Sequence, residues 1–153
     1  PESYHALRPL CSPTLCAAIR TMTWELIDHT GDVGVSARAP TLEELFAECG
    51  RAMFSILADA PAPAPRETDA FPVAGADPAE ELRDFLSELL YRFSAEHRLY
   101  VSFSAAPGVV SASWELYRED RHPLRTELKA VTWHQLRAVR EDGEWRALVI
   151  FDV

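Results

Sequence analysis

Asp28-His29-Thr30-Gly31-Asp32-Val33-Gly34 sets two carboxylates, an imidazole, a hydroxyl and two glycines between the apolar runs Trp24 to Ile27 and Val33 to Ala39. Gly31 and Gly34 permit positive φ or a close approach, so the chain can turn sharply between two strand-like runs and aim side-chain oxygens at one point. Two readings follow. The stretch can begin a small all-oxygen site for a hard cation. It can equally be an Asx-type turn in which Asp28 or Asp32 caps backbone amides and binds nothing.

Working outward, Val33, Val35, Ala37 and Ala39 alternate with Gly34, Ser36 and Arg38, the pattern of a half-buried strand, which Pro40 ends. Thr41 and Glu44 form a capping box for a helix starting at Leu42. Leu42, Leu45, Phe46, Cys49, Met53, Ile56 and Leu57 fall on one stripe of that helix, making Cys49 a core thiol. Gly50 inside the helix costs about 1 kcal/mol relative to Ala, which the buried stripe offsets.

The Ala/Pro alternation from Ala60 to Pro65 reads as an extended connector, with a short strand at Phe71 to Ala74 after it. Asp77-Pro78-Ala79-Glu80 combines an N-cap, a first-turn proline and an acidic third position. Leu82, Phe85, Leu86, Leu89, Leu90 and Phe93 then give a second amphipathic helix ending near His97. Glu96-His97-Arg98 is read as its solvated terminus.

The rest is strand-rich: Leu99 to Phe103, Val109 to Leu116, Leu128 to Val139 and Trp145 to Phe151. Pro107-Gly108, a polar loop from Tyr117 to Pro123, and Asp142-Gly143 separate them. Asp142-Gly143 predicts a hairpin of the last two strands, which brings the chain end beside Leu128 to Val131. Trp114, Trp133 and Trp145 are expected in cross-strand packing, and His134 as a hydrogen-bonded core or edge histidine. The fold class is α+β: two amphipathic helices packed on one face of a mainly antiparallel sheet, a two-layer sandwich.

At 153 residues the chain supports one core. Its net charge of -9 argues against direct nucleic-acid binding and makes a basic protein surface the fitting partner. Cys11, Cys16 and Cys49 form neither an even framework nor a zinc spacing, which suits a reducing, cytoplasmic setting. No apolar run has the length of a membrane span. Residues 1–21, with three prolines and no periodicity, read as an irregular or disordered N-terminal extension before a domain at 22–153, with Met22 a plausible start. Arg8 and Arg20 are too sparse for an organelle signal.

Nucleotide-binding glycines, a phosphate loop, a nucleophile elbow and a paired-histidine zinc motif are all missing from the sequence. The carboxylates of Asp152 and the terminal Val153 sit on adjacent residues, and if they meet Asp32 across a sheet they repel unless a cation or proton intervenes.

Four separated blocks carry a resemblance. They are Trp24 to Gly34, Thr41 to Phe46, His122-Pro123 with Thr126 to His134, and Trp145 to Val153. Together they resemble the archease family from Met22 onward. Gly31 stands where that family usually has alanine and Trp133 where it usually has tyrosine. The resemblance implies a protein cofactor rather than an enzyme, one that assists the tRNA-splicing RNA ligase joining 3′-phosphate or 2′,3′-cyclic phosphate ends to 5′-hydroxyl ends. It would promote guanylylation and turnover of the ligase and widen its nucleotide choice. It also implies a divalent ion, calcium first with magnesium or manganese as alternatives, held by Asp32, Asp152 and the main-chain oxygens of Val153. Lys129 would serve in ligase activation, and Asp28 and His29 would orient the ligands. Read from the residues alone, Lys129 is equally an exposed strand lysine. Two other classes stay open: a metal-dependent hydrolase or phosphotransferase using Asp28, Asp32 and Asp152 with His29 as general base, and a chaperone-like interaction module.

Overall fold

The computed structural model describes residues 23–60 and 67–153. The expectations for residues 1–21, including Cys11 and Cys16, and for nearly all of the Ala/Pro connector fall outside the described residues.

The first strands, β1 (Trp24–His29) and β2 (Asp32–Ala39), form a hairpin over the two-residue turn Thr30-Gly31. Gly31 has φ +77°, a conformation that L side chains rarely adopt. Helix α1 (Leu42–Leu57) begins at the expected cap, the Glu44 N–H donating to Thr41 Oγ1 at 3.1 Å. Its stripe is buried, and Cys49 is a core thiol whose pKa burial, seconded by Glu48, pushes up to about 12. Gly50 is better explained by the structure than by tolerance: a Cβ there would stand 2.5 Å from Phe103 Cε1. Its missing side chain lets α1 close on the sheet.

After β3 (Glu67–Pro72), α2 (Pro78–Glu96) starts on Asp77, whose Oδ1 accepts from the Glu80 N–H at 3.2 Å. A second carboxylate joins it. Glu81 accepts from the N–H groups of Ala74, Gly75, Ala76 and Asp77, and these bonds, led by Gly75, hold its pKa down. His97 ends α2 in the left-handed region at φ 58°. The remaining strands are β4 (Arg98–Ala106), β5 (Val109–Leu116), β6 (Ala130–Val131), β7 (Arg137–Glu141) and β8 (Glu144–Asp152).

Every pairing is antiparallel, and the helices form the second layer as expected. The strands divide into two sheets. One runs β1-β2-β8-β6 with β7 further along β8, and the other runs β3-β5-β4. Helix α1 packs on both, so its apolar face is the floor of one continuous core.

One expected strand needs correction. Leu128 to Val139 is two short strands on β8, because residues 132–136 face only Val149 and Ile150 between the pairs Val131↔Phe151 and Arg137↔Leu148. Gln135 at φ 52° makes the detour. Trp133 is therefore exposed rather than packed across strands, and His134 lies at the exposed edge rather than in the core. Trp114 is in the core and Trp145 packs at its margin, as expected.

Candidate metal centre

The hairpin turn fixes the geometry of the candidate site. Closing β1 onto β2 pairs His29 with Asp32, and β2 in turn pairs Asp32 with Asp152 of β8. On its other side Asp152 pairs with Ala130 of β6. One transverse row thus runs His29, Asp32, Asp152, Ala130. Directly opposed residues in an antiparallel ladder project from the same face with Cβ atoms about 5 Å apart. The two aspartates expected from separate ends of the chain are cross-strand neighbours.

Beneath them the row Ile27, Gly34, Ile150 is tightly packed. A Cβ on Gly34 would meet Ile150 Cδ1 at 2.9 Å and Ile27 Cβ at 3.2 Å. Gly34 serves close approach rather than a turn, and the ladder that carries the carboxylates is held together just below them. Val153 continues β8, and its side chain packs partly against the core, which anchors its main-chain oxygens one residue beyond Asp152.

Lys129 reaches the same end of the sheet through a well-anchored approach. The Tyr117 to Pro123 loop is closed by His122, a fully buried ring whose Nδ1 accepts from the Arg118 N–H at 2.9 Å. Its Nε2 therefore carries the proton and donates to the buried Glu115 carboxylate. The chain then bonds to the end of α1, Asp59 N–H to Pro123 O at 3.0 Å and Arg125 N–H to Leu57 O at 2.9 Å. Leu128 enters the core, and the Lys129 N–H donates to the Asp152 carbonyl at 2.8 Å, leaving the ammonium side chain exposed. Sequence reasoning passed over His122 as an anchor. A histidine seven residues after an acidic strand residue carries no local signal of burial.

Asp28 does not share the row. It pairs with Val33, whose own partner is the core residue Phe151, so Asp28 projects from the helix-side face. There it lines an open groove of about 450 Å³ with Leu26, Ile27, Ser55, Ile56 and Arg125. Neither an orienting role beside Asp32 nor a triple carboxylate of Asp28, Asp32 and Asp152 around one ion follows from this register. His29 is the backbone neighbour of Asp32, and its side chain is outside the described set.

Among the described side chains and the backbone the donors at the row are all oxygen: the carboxylates of Asp32 and Asp152 and the main-chain oxygens of Val153. That chemistry fits calcium, magnesium or manganese and does not suit zinc. Among the described residues no group of three His, Cys, Asp or Glu side chains converges, so the main-chain oxygens would have to complete the ligand set.

A model of the archease protein family matches residues 24–153. Protein archease of Methanopyrus kandleri is 34% identical over 140 residues, which is 86% of this chain and 100% of that protein. The archease-like protein of Drosophila melanogaster is 30% identical over 142 residues, covering 86% of this chain and 91% of its own length. The solution structure of Protein 1598 from Methanobacterium thermoautotrophicum matches with a TM-score of 0.75 at 31% identity, over 87% of this chain and 100% of that one. A crystal structure from Thermotoga maritima, described as an archease and possible chaperone, matches at 0.57 and 19% identity over 83% and 94%, a likeness of fold alone.

Proposed function

The chain belongs to the archease family, and from that premise we propose that it is a metal-binding protein cofactor that activates the tRNA-splicing RNA ligase by promoting its guanylylation and turnover, and that it widens the nucleotide choice of that ligase. The observation that carries the reading is the cross-strand pair Asp32↔Asp152 at the chain end, with Lys129 bonded to the Asp152 backbone beside it. Two carboxylates directly opposite one another favour a bound cation or proton between them, which supports reading the pair as a receptor for positive charge.

Asp32, Asp152 and the main-chain oxygens of Val153 would hold the divalent ion, calcium first, and when bound it would offer Lewis-acidic charge to phosphate oxygens. The chain's own residues do the rest. Val153 seats the end of β8 against the core, Gly34 lets the supporting row close, and Lys129 presents an ammonium group next to the acidic row. A chain of net charge -9 is suited to a basic, RNA-binding mouth on the ligase, without itself binding RNA. This reading assigns the protein to the cytoplasm. Among the described residues no helix is long and apolar enough to cross a membrane.

The hydrolase alternative loses ground because Asp28 projects from the opposite face. Multiple-turnover ligation by the tRNA-splicing ligase, with and without this protein, tests the proposal. Stimulation that Asp32→Asn and Lys129→Ala abolish is expected; robust nucleotide hydrolysis by this chain alone, lost in Asp32→Ala, would favour an enzyme instead.

A further inference from the structure

We propose that Thr132 is a positioning residue of the candidate metal centre: it pins β6 to β8 directly after a β-bulge that turns Lys129 onto the face of Asp32 and Asp152, so that lysine and carboxylates form one site. The proposal deepens the ligase-cofactor reading and rests on it.

The bulge shows in both hydrogen bonding and burial. The register pairs Asp152 with Ala130, yet the Asp152 carbonyl accepts from the Lys129 N–H at 2.8 Å, so two residues of one strand oppose one of the other. Leu128 and Val131 are both buried although they are three residues apart, where regular alternation would send them to opposite faces. One extra residue reconciles them. Lys129 and Ala130, both exposed, lie between the two core side chains, and Ala130 shares its face with the carboxylate of Asp152. Without the bulge Lys129 would take the face of Val131, toward the helices. Lys129 is also the only lysine among the 15 basic residues of the chain, so the group turned onto the row is a compact ammonium where arginine serves everywhere else.

Little holds the bulge in place. Strand β6 is two residues long, and directly after Thr132 the chain departs on the detour that ends at Arg137. Thr132 bonds twice to one atom: its N–H and its hydroxyl donate to the Ile150 carbonyl at 3.0 and 2.9 Å. A carbonyl offers two lone pairs, and Thr132 fills both, which fixes the direction of β6 against β8 as well as the spacing. Ile150 is the buried residue whose side chain closes over Gly34, two positions before Asp152 on the same face. The clamp therefore ties the strand that carries Lys129 to the packed row on which the two aspartates stand. It sits where the ladder ends, the point from which β6 would fray.

The test compares native protein with Thr132→Val, which removes only the hydroxyl bond, and Thr132→Ser, which restores it. Calcium titrations by calorimetry should give a Kd about 10-fold higher in Thr132→Val and within about threefold of native in Thr132→Ser. Melting temperatures under chelator should stay within about 4 °C of native in both, because the Ile150 carbonyl keeps its N–H donor. Zero-length carbodiimide coupling then reads the position of Lys129 without any metal, since a sole lysine makes the mapped amide unambiguous. An amide from Lys129 to Asp152 or Asp32 should form in native protein, fall severalfold in Thr132→Val and return in Thr132→Ser. Native affinity and coupling in Thr132→Val, a Thr132→Ser protein as impaired as Thr132→Val, or native coupling confined to carboxylates outside the row would each overturn the proposal. So would a melting temperature lowered by more than about 10 °C in Thr132→Val, the mark of a general structural contact. If native protein binds no calcium, the metal reading fails, while coupling that depends on the Thr132 hydroxyl still upholds the positioning role.

Discussion

Asp69 on β3 and Asp152 on β8 are both strand aspartates, yet they have opposite surroundings. Asp69 Oδ2 accepts from the Tyr100 hydroxyl at 2.7 Å and from Arg98 Nη1 at 2.8 Å, with Arg92 Nη1 at 3.2 Å. Those arginines lie over Trp114 and Phe71 and pair with Glu96 and Glu88 in turn. Asp152 instead faces a second carboxylate, Asp32, across the ladder. A carboxylate whose charge is answered three times ties α2 to the three-stranded sheet. A pair that concentrates charge of one sign gains from a bound cation or a proton. Opposite charges gathered on one carboxylate mark a structural contact in this molecule, and two carboxylates set opposite one another mark the place to look for function.

The comparison breaks most sharply at Asp69. Asp69→Ala would leave a hydroxyl and two guanidiniums without their common acceptor, at a cost of about 2–3 kcal/mol. The melting temperature should fall by roughly 5–10 °C, while divalent binding at the Asp32 row stays native. The pH dependence gives the same contrast in another form. Burial works to raise the Asp69 pKa, but Tyr100, Arg98 and Arg92 outweigh it and hold the group below its ordinary value. A carboxyl depressed in the folded state contributes stability above its unfolded pKa of about 3.9 and loses it as pH falls through the folded value. Thermal melts of native protein should therefore lose stability below about pH 4. The Asp69→Asn variant should start lower and show a shallower acid limb. An unchanged acid limb in that variant would remove Asp69 from the ledger of acid-sensitive contacts.

Gly50 joins the two regions, since α1 packs on both sheets and closes on Phe103 at this residue. Helix propensity alone predicts that Gly50→Ala gains about 1 kcal/mol. The Cβ would collide with a buried ring, and overpacking of that kind costs about 1–3 kcal/mol. We expect a net loss of about 1 kcal/mol, read as a melting temperature lower by roughly 2–4 °C. Phe103→Leu in the same background should recover part of it. A Gly50→Ala protein more stable than native would mean that the ring yields and propensity wins.

These cases also separate what was legible in the sequence from what was not. Thr41, Asp77, Asp142-Gly143 and the apolar stripes of both helices are local signals, and each fell where its physics required. The approach of Asp152 to Asp32 could be raised as a possibility because the final hairpin carries the chain end back along the sheet. Long-range pairings left no trace in periodicity. The division into two sheets and the Asp69 network, whose members are up to 31 residues apart, depend on which strands become neighbours. Alternation continues through Leu128 to Val139 although the chain leaves the ladder midway. The facing of Asp28 could not be read either, because a shift of one residue in a hairpin turn exchanges the two faces.

Asp32→Asn is expected to change stability least and yet to test the site most directly. The substitution keeps the side-chain volume and removes the charge that Asp152 faces. Opposed like charges in a ladder cost a few tenths of a kcal/mol, so in the presence of a chelator the variant should melt at the native temperature or up to about 2 °C above it. Asp152→Asn should behave the same way, and the double variant should add nothing further, since either substitution alone relieves the repulsion. Added calcium reverses the ranking. A ligand that binds only the folded state stabilises it by about 2.7 kcal/mol at a concentration of 100 times Kd. The native protein should therefore gain several degrees where both single variants gain almost none. Melting curves of the four proteins with chelator and with calcium would read this out in one experiment. A large drop in Asp32→Asn under chelator would mean that the carboxylate holds the hairpin together, and the row would then belong with Asp69 among the structural contacts.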